Sequence, residues 1–225
     1  MSTNRTSTHD SNSRPAPGQQ VLASAIVLRT RAYRDSDLIV HFLTPALGKI
    51  SVLARHARSS RKRFPNSLDL FDRGTARLTT ERSGAWGLAE FTSASSLVKV
   101  RQDLDKLTLA SLICEVSDLI LQEDDPAPAA AVFEVVDLSL NAVDEAADVR
   151  TALRSTFIGL ANLCQRAGIA DPSAATPGSR ALQTLLDLVE RHCDRPLLTR
   201  DSLKGVLDKA SGEGRPIAVF KSPEG

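Results

Sequence analysis

The sequence predicts an α+β protein: a small five-stranded β-barrel followed by an all-helical C-terminal domain. Two observations carry the prediction. Between Val21 and Phe91, short aliphatic runs are broken by turn residues every 8–15 positions, the pattern of several short strands. Beyond Val100 the apolar residues recur at helical spacing, the pattern of amphipathic helices. A run of strands followed by a run of helices forms separate layers or domains.

The first strand is Val21–Thr30, centred on Ile26, Val27 and Leu28, and Tyr33-Arg34-Asp35-Ser36 reads as a turn. Asp37–Thr44 is the second strand, ended by Pro45-Ala46-Leu47-Gly48, and Lys49–Ala54 is the third. A polar, basic loop leads to a fourth strand, Leu70–Thr80. Ser83-Gly84 then turns the chain into a fifth, Ala85–Phe91. Five strands of this size form a small barrel or sandwich, and the five-stranded barrel that binds nucleic acid is the OB-fold. In the back half, Leu104, Leu107, Leu112, Val116, Leu119 and Ile120 make one apolar stripe. It stops at Glu123-Asp124-Asp125-Pro126, because proline and the residue before it disfavour further helix. Val132, Val135, Val136 and Leu140 mark a second, shorter helix. Leu153, Phe157, Leu160, Cys164 and Ala167 mark a third, with Gly168 placed to cap its end. Ala170–Gly178 is a loop. Ser179 is placed to cap a helix carrying Leu182, Leu185, Leu186, Val189 and Cys193, and Thr199 to open a last one through Leu203, Val206 and Leu207. The predicted organisation is a disordered tail over 1–20, a barrel over 21–100, a helical domain over 101–210 and a tail over 211–225.

Charge is distributed unevenly. The 225 residues carry a net charge of +1, but residues 1–106 hold 17 Lys/Arg against 9 Asp/Glu, and residues 107–149 hold 10 Asp/Glu and no Lys or Arg. A basic front points to a polyanionic partner. The basic residues concentrate in Lys49, Arg55, His56, Arg58, Arg61, Lys62 and Arg63, with no acid from Gly48 to Leu68. Such a loop suits sequence-independent, salt-sensitive phosphate contact, with arginine forks taking two phosphate oxygens at once. The plainer reading is a solvated loop that protects a strand edge. Tyr33, Phe64, Trp86 and Phe91 are candidates for base stacking, although Phe91 sits in a strand pattern that favours the core.

Several function classes find no support. No GxxxxGK[ST] or GxGxxG loop is present for nucleotides, and no HExxH or GxSxG for hydrolysis. The histidines are scattered. Cys114, Cys164 and Cys193 are odd in number and far apart, which fits buried, reduced thiols rather than a zinc site or a disulfide framework. Neither catalytic residues, metal nor cofactor is expected. Without an apolar leader or a membrane-length run, the expected location is the cytoplasm.

Three stretches resemble the RecO family of DNA repair and recombination mediators. The first is the strand–turn–strand from Ala25 to Val40, with Tyr33-Arg-Asp-Ser-Asp37 at its turn. The second, and most specific, runs from Leu43-Thr-Pro-Ala-Leu-Gly-Lys49 through Ala54-Arg-His-Ala-Arg58 to Arg61-Lys-Arg-Phe64. The third is Arg101-Gln-Asp-Leu-Asp-Lys-Leu107 and the helix after it. Asp194-Arg-Pro-Leu-Leu-Thr-Arg200 is a weaker match, and the whole spans roughly residues 21–209. The family often has glycine where His56 stands. Many members carry a four-cysteine zinc module where this chain has only the loop near Ala170–Gly178, so this looks like a zinc-free member.

The resemblance implies a mediator without turnover. It would bind single- and double-stranded DNA, anneal complementary strands, engage the acidic C-terminal tail of single-stranded-DNA-binding protein, and with RecR help load RecA. It would place DNA contact on Lys49, Arg55, Arg58, Arg61, Lys62 and Arg63, with Arg29, Arg31 and Arg34 as second choices. Arg150, Arg154 and Arg200 are the candidates for partner binding. The alternative is a general OB-fold RNA- or single-strand-binding protein in RNA handling or translation, which dependence on the 2′-OH would reveal.

Overall fold

The computed structural model describes residues 18–60, 63–64, 68–81, 83–95, 97–127, 129–170 and 176–211. Arg61 and Lys62, the tails through residue 17 and from residue 212, and residues 171–175 of the Ala170–Gly178 loop lie outside them. Five strands form a closed barrel in the order β1-β2-β3-β5-β4: β1 Gln20–Tyr33, β2 Asp37–Thr44, β3 Gly48–Ala54, β4 Arg73–Thr80 and β5 Trp86–Ser95. Among the described residues six helices follow, α3 equal in length to α2: α1 Val98–Gln102, α2 Leu104–Ile120, α3 Ala129–Glu145, α4 Val149–Arg166, α5 Ser179–Cys193 and α6 Arg200–Ser211. This is the barrel-then-helices architecture that the sequence predicts.

β1 is longer than its aliphatic centre suggests because it serves two neighbours. Gln20–Ile26 pair antiparallel with β4, and Ile26–Tyr33 with β2, with a register shift between Val27 and Arg29 where the strand changes partner. Such a bulge bends a strand and lets a small sheet close on itself. Tyr33 is thus the last residue of the strand rather than the start of the turn. β4 begins at Arg73, three residues later than expected, because Phe71 takes φ +55° and breaks the extended run. The Phe71 N–H donates to the Val27 carbonyl at 2.8 Å.

Alternation along each strand fills the interior. On β2, Val40 and Phe42 point in and are fully buried. Ile50, Val52 and Ala54 do the same on β3, following the two-residue period of a strand. Phe42 stacks on Phe91 with ring centroids 5.5 Å apart. Each such side chain contributes about 1.5–3 kcal/mol by leaving water. The closing seam is short: β3 meets β5 in parallel at only Val52↔Trp86 and Leu53↔Gly87.

Two compact units divide the chain, Met1–Ser96 with Leu121–Glu134, and Leu97–Ile120 with Val135–Gly225. The barrel unit therefore includes a segment that lies between α2 and the body of α3 in sequence. The Asp124 N–H donates to the Lys49 carbonyl at 2.8 Å, and Glu123 forms a parallel bridge with Lys49. This places the segment beside Gly48 and Lys49, in the part of β3 that β5 does not reach. Gly48 is required there. Its φ is +71°, and a Cβ on it would lie 2.1 Å from the Asp125 carbonyl oxygen.

In the helical unit, Leu109, Leu112, Ile113 and Val116 of α2 are buried, as are Leu153, Phe157, Leu160 and Cys164 of α4 and Leu182, Leu186 and Val189 of α5. Leu104, placed on the α2 stripe by its spacing, is instead 73% exposed. Lys106 is buried in the same turn, its ammonium donating to the Asp144 and Ala146 carbonyls at 2.8 and 2.7 Å, where a cation suits the end of α3. Ser179 does not cap α5. It is the first helical residue, Gly178 precedes it, and no side chain caps that end. Helix α6 starts at Arg200. Before it, the Glu115 carboxylate accepts the Leu198 and Thr199 N–H groups and the Thr199 hydroxyl at 2.6–3.0 Å. All three cysteines are free thiols. Burial, with the Cys193 thiol nearby, pushes the Cys164 pKa up to about 12.

Candidate nucleic-acid interface

Three loops of the barrel are tied to one another by hydrogen bonds and ion pairs: the β1–β2 turn at residues 34–36, residues 55–60 after β3, and the β4–β5 turn at residues 81–85. The tie between the first two centres on His56, at φ +55°. Its N–H donates to Asp37 Oδ1 at 2.8 Å, and its Nδ1 lies 3.1 Å from the Ser36 hydroxyl. Two residues on, the Arg58 N–H donates to the Ser36 carbonyl at 3.1 Å and its Nη1 approaches the Asp35 carbonyl at 3.4 Å. The His56 carbonyl accepts the N–H groups of Ser59 and Ser60, closing a tight turn. This left-handed backbone is one that glycine would adopt without strain and that histidine adopts here under the hold of Asp37 and Ser36.

Most of the predicted basic residues gather here. Arg58 and Arg34 are exposed, and Arg34 lies over the Tyr33 ring at 5.3 Å. Arg31 is exposed on the outer side of β1, opposite Ile39 of β2. Among the described residues none of these three forms an ion pair. Arg63 is half-buried and anchors the loop, its Nη2 donating to the Arg55 carbonyl at 2.7 Å and its guanidinium packing on Phe64. Arg55 is engaged by Glu81: its Nη2 reaches both carboxylate oxygens, at 2.8 and 2.7 Å. Arg29 is half-buried opposite His41. Lys49 stands apart. It is only 8% exposed and sits at the start of β3, beside Glu123.

The aromatic candidates divide sharply. Trp86, Phe64 and Phe91 are 3–4% exposed and belong to the barrel core, whereas Tyr33 is 38% exposed. Of these four only Tyr33 is exposed, with the Arg34 guanidinium over its ring. Sequence reasoning missed the acids that organise these loops. Asp37 stands at the start of the second predicted strand and in the turn of the family resemblance, and no motif in the sequence singles out Glu81.

In the helical unit, Arg150 and Arg154, one turn apart on α4, line a concave pocket of about 460 Å³ with Leu153, Pro177, Gly178 and Ala210. The Arg150 Nε donates to the Ala210 carbonyl at 2.8 Å. Arg200 is not with them. Its guanidinium binds Glu190 at 3.0 Å and also Asp187. Burial alone would raise the Glu190 pKa, but the Arg200 hydrogen bond and the Leu197 N–H outweigh it and hold the carboxyl below its ordinary value. Among the described residues no group of three His, Cys, Asp or Glu is arranged to hold a metal ion, and no helix is long and apolar enough to cross a membrane.

A closed five-stranded barrel in this strand order is an OB-fold. Here it is followed by a helical unit in the same chain. Two family models match in sequence: Recombination protein O N terminal over residues 19–97 and Recombination protein O C terminal over residues 101–170. The chain belongs to the RecO family. It is 29% identical over 198 residues to the DNA repair protein RecO of Desulfosudis oleivorans, covering 84% of this chain and 71% of that one. To the DNA repair protein RecO of Anaeromyxobacter sp. (strain K) it is 32% identical over 142 residues, covering 62% and 55%. To that of Pelobacter propionicus it is 36% identical over 104 residues, covering 46% and 42%. The chain thus spans about half the length of most of these curated relatives.

Proposed function

We propose that this protein is a non-enzymatic, DNA-binding mediator of DNA repair and recombination whose barrel grips phosphate at the end carrying Arg31, Arg34, Arg55, Arg58 and Arg63. The observation that carries the reading is the stitching of the basic loop after β3 to the β1–β2 turn, which holds Arg34 and Arg58 in adjoining loops with their charges exposed. Phosphate contacts made this way position a strand without reading its sequence. The neutralised strands repel each other less, and annealing follows from holding two of them close. Binding extends to single and double strands, since both present the same backbone. Lys49 contributes through the fold rather than by direct contact. The domain limits near residues 20, 100 and 210 belong to the same reading.

Family membership supports the wider role: work with RecR to load RecA at gaps, in the cytoplasm and at the nucleoid. Arg150 and Arg154 are the side chains that would meet the acidic C-terminal tail of single-stranded-DNA-binding protein, Arg200 being committed to Glu190.

The test is binding of a fluorescent single strand across a salt series, comparing the wild type with the variant Arg34→Glu/Arg58→Glu. With about four phosphate contacts the wild type gives a log–log slope near about −3. The variant binds more weakly, with a flatter slope, and loses annealing in parallel. Equal affinity in a folded variant removes this end of the barrel from the reading. A matched RNA strand that binds far more tightly turns the reading towards RNA handling.

A further inference from the structure

We propose that Glu81 is a built-in competitor for the phosphate that Arg55 would otherwise take, so that the protein holds one arm of its nucleic-acid grip shut until a strand displaces the carboxylate. This rests on the reading that nucleic acid binds at this end of the barrel.

The geometry is that of a mimic. Arg55 Nη2 engages both oxygens of Glu81, at 2.8 and 2.7 Å, a charge-assisted contact of the kind the same nitrogen would make to phosphate oxygens. Both side chains remain reachable, 55% and 32% exposed, so an incoming phosphate can exchange with the carboxylate. Glu81 is held ready for the task. Its N–H donates to the Ala85 carbonyl and its own carbonyl accepts the Gly84 N–H, both at 2.9 Å, which fixes the base of the side chain in the β4–β5 turn. Its path is kept open at Gly87, where a Cβ would lie 3.4 Å from Glu81 Oε1 and 2.8 Å from the Thr79 hydroxyl. Arg55 is fixed in turn by Arg63, which donates to its carbonyl. Arg31, Arg34 and Arg58 have no such carboxylate partner among the described residues. The competitor therefore acts on one arginine and leaves the others to make first contact.

A plainer role is available. The pair lies beside the two-residue parallel seam between β3 and β5 and could simply staple it. The two roles predict opposite signs, since losing a staple loosens the barrel while losing a competitor tightens binding.

The experiment uses the full chain and a fluorescent oligothymidylate across a salt series. The variants are Glu81→Gln, Glu81→Ser, Arg55→Gln, Arg55→Gln/Glu81→Gln and Arg34→Glu/Arg58→Glu, each checked for folding by circular dichroism. Glu81→Gln keeps the shape and a hydrogen-bond acceptor for the seam, and Glu81→Ser removes the reach. Both are expected to bind about two- to fivefold more tightly than wild type, with a salt slope steeper by about 0.7. The gain disappears when Arg55 is also changed. Unchanged or weaker binding by folded Glu81 variants overturns the proposal in favour of a staple. A gain that persists without Arg55 overturns it in favour of bulk charge. In both of these cases Arg34→Glu/Arg58→Glu still binds poorly, so the underlying reading survives. Binding by that variant equal to wild type brings down both.

Discussion

Glu190 shows how one carboxyl can tie three pieces of chain together. It accepts the Leu197 N–H at 2.8 Å and binds Arg200 through the same carboxylate, fixing the turn between α5 and α6. Its pKa lies below the ordinary glutamate value in the folded protein, so the folded state binds the proton less readily than the unfolded one. The stabilisation is therefore complete above the ordinary glutamate range and is lost as pH falls through the lower, folded value. The expected outcome is that the wild type loses thermal stability on acidification through this window, while Glu190→Gln starts less stable at pH 7 and changes less. Thermal melts from pH 7 to pH 3 check it, and parallel curves for the two proteins contradict it. At this scale the sequence told a divided story. The exposed Arg58 was legible because like charges clustered in a stretch free of acid, whereas Arg34, next to Asp35, came only as a second choice through the family resemblance. Glu81 and Glu190 were not, because each meets its partner only after the chain folds back, 26 and 10 residues away.

Elements were legible wherever their period was undisturbed. β2, β3, α4 and α5 fall within a few residues of their predicted spans because each buries one regular face. β1 was cut short, since its outer residues Arg29 and Arg31 interrupt the aliphatic run and nothing local reveals that it has two partners. Helix α1 has only five residues, too few for a period to register. The packing of α3 on α4 was equally hidden, because it depends on one missing side chain. A Cβ on Gly159 would lie 2.1 Å from Ser139 Oγ and 2.7 Å from Ser139 Cβ. Gly159→Ala must therefore push the helices apart, even though alanine is the better helix former. A loss of about 1–3 kcal/mol is expected by urea denaturation. Ser139→Gly in the same chain should recover part of it, and a Gly159→Ala variant more stable than wild type would show that the approach is not tight.

The whole molecule is less sequential than its strand-then-helix order suggests. Leu121–Glu134 belongs to the barrel unit although a helix of the other unit precedes it. No periodicity announces this; the stretch reads as a helix-ending turn, and it is one, but it also completes the flank of β3. Gly48 is the position most exposed to this arrangement. Gly48→Ala combines a left-handed backbone with a clash on Asp125, and a loss of about 2 kcal/mol or more is expected. Hydrogen exchange should rise at residues 48–51 and 121–127 and stay unchanged in α5; unchanged exchange along β3 would contradict the role given to the segment. The same arrangement has a consequence for biosynthesis. The chain leaves the ribosome N-terminus first, so Gly48–Ser51 emerge long before Glu123 and Asp124. At roughly 5–20 residues per second, that flank of β3 stays uncovered for roughly 4 to 15 s in each new molecule. An uncovered strand edge is where a nascent chain is most open to wrong pairing, and this flank of β3 is covered only after the first long helix of the next unit has already been made.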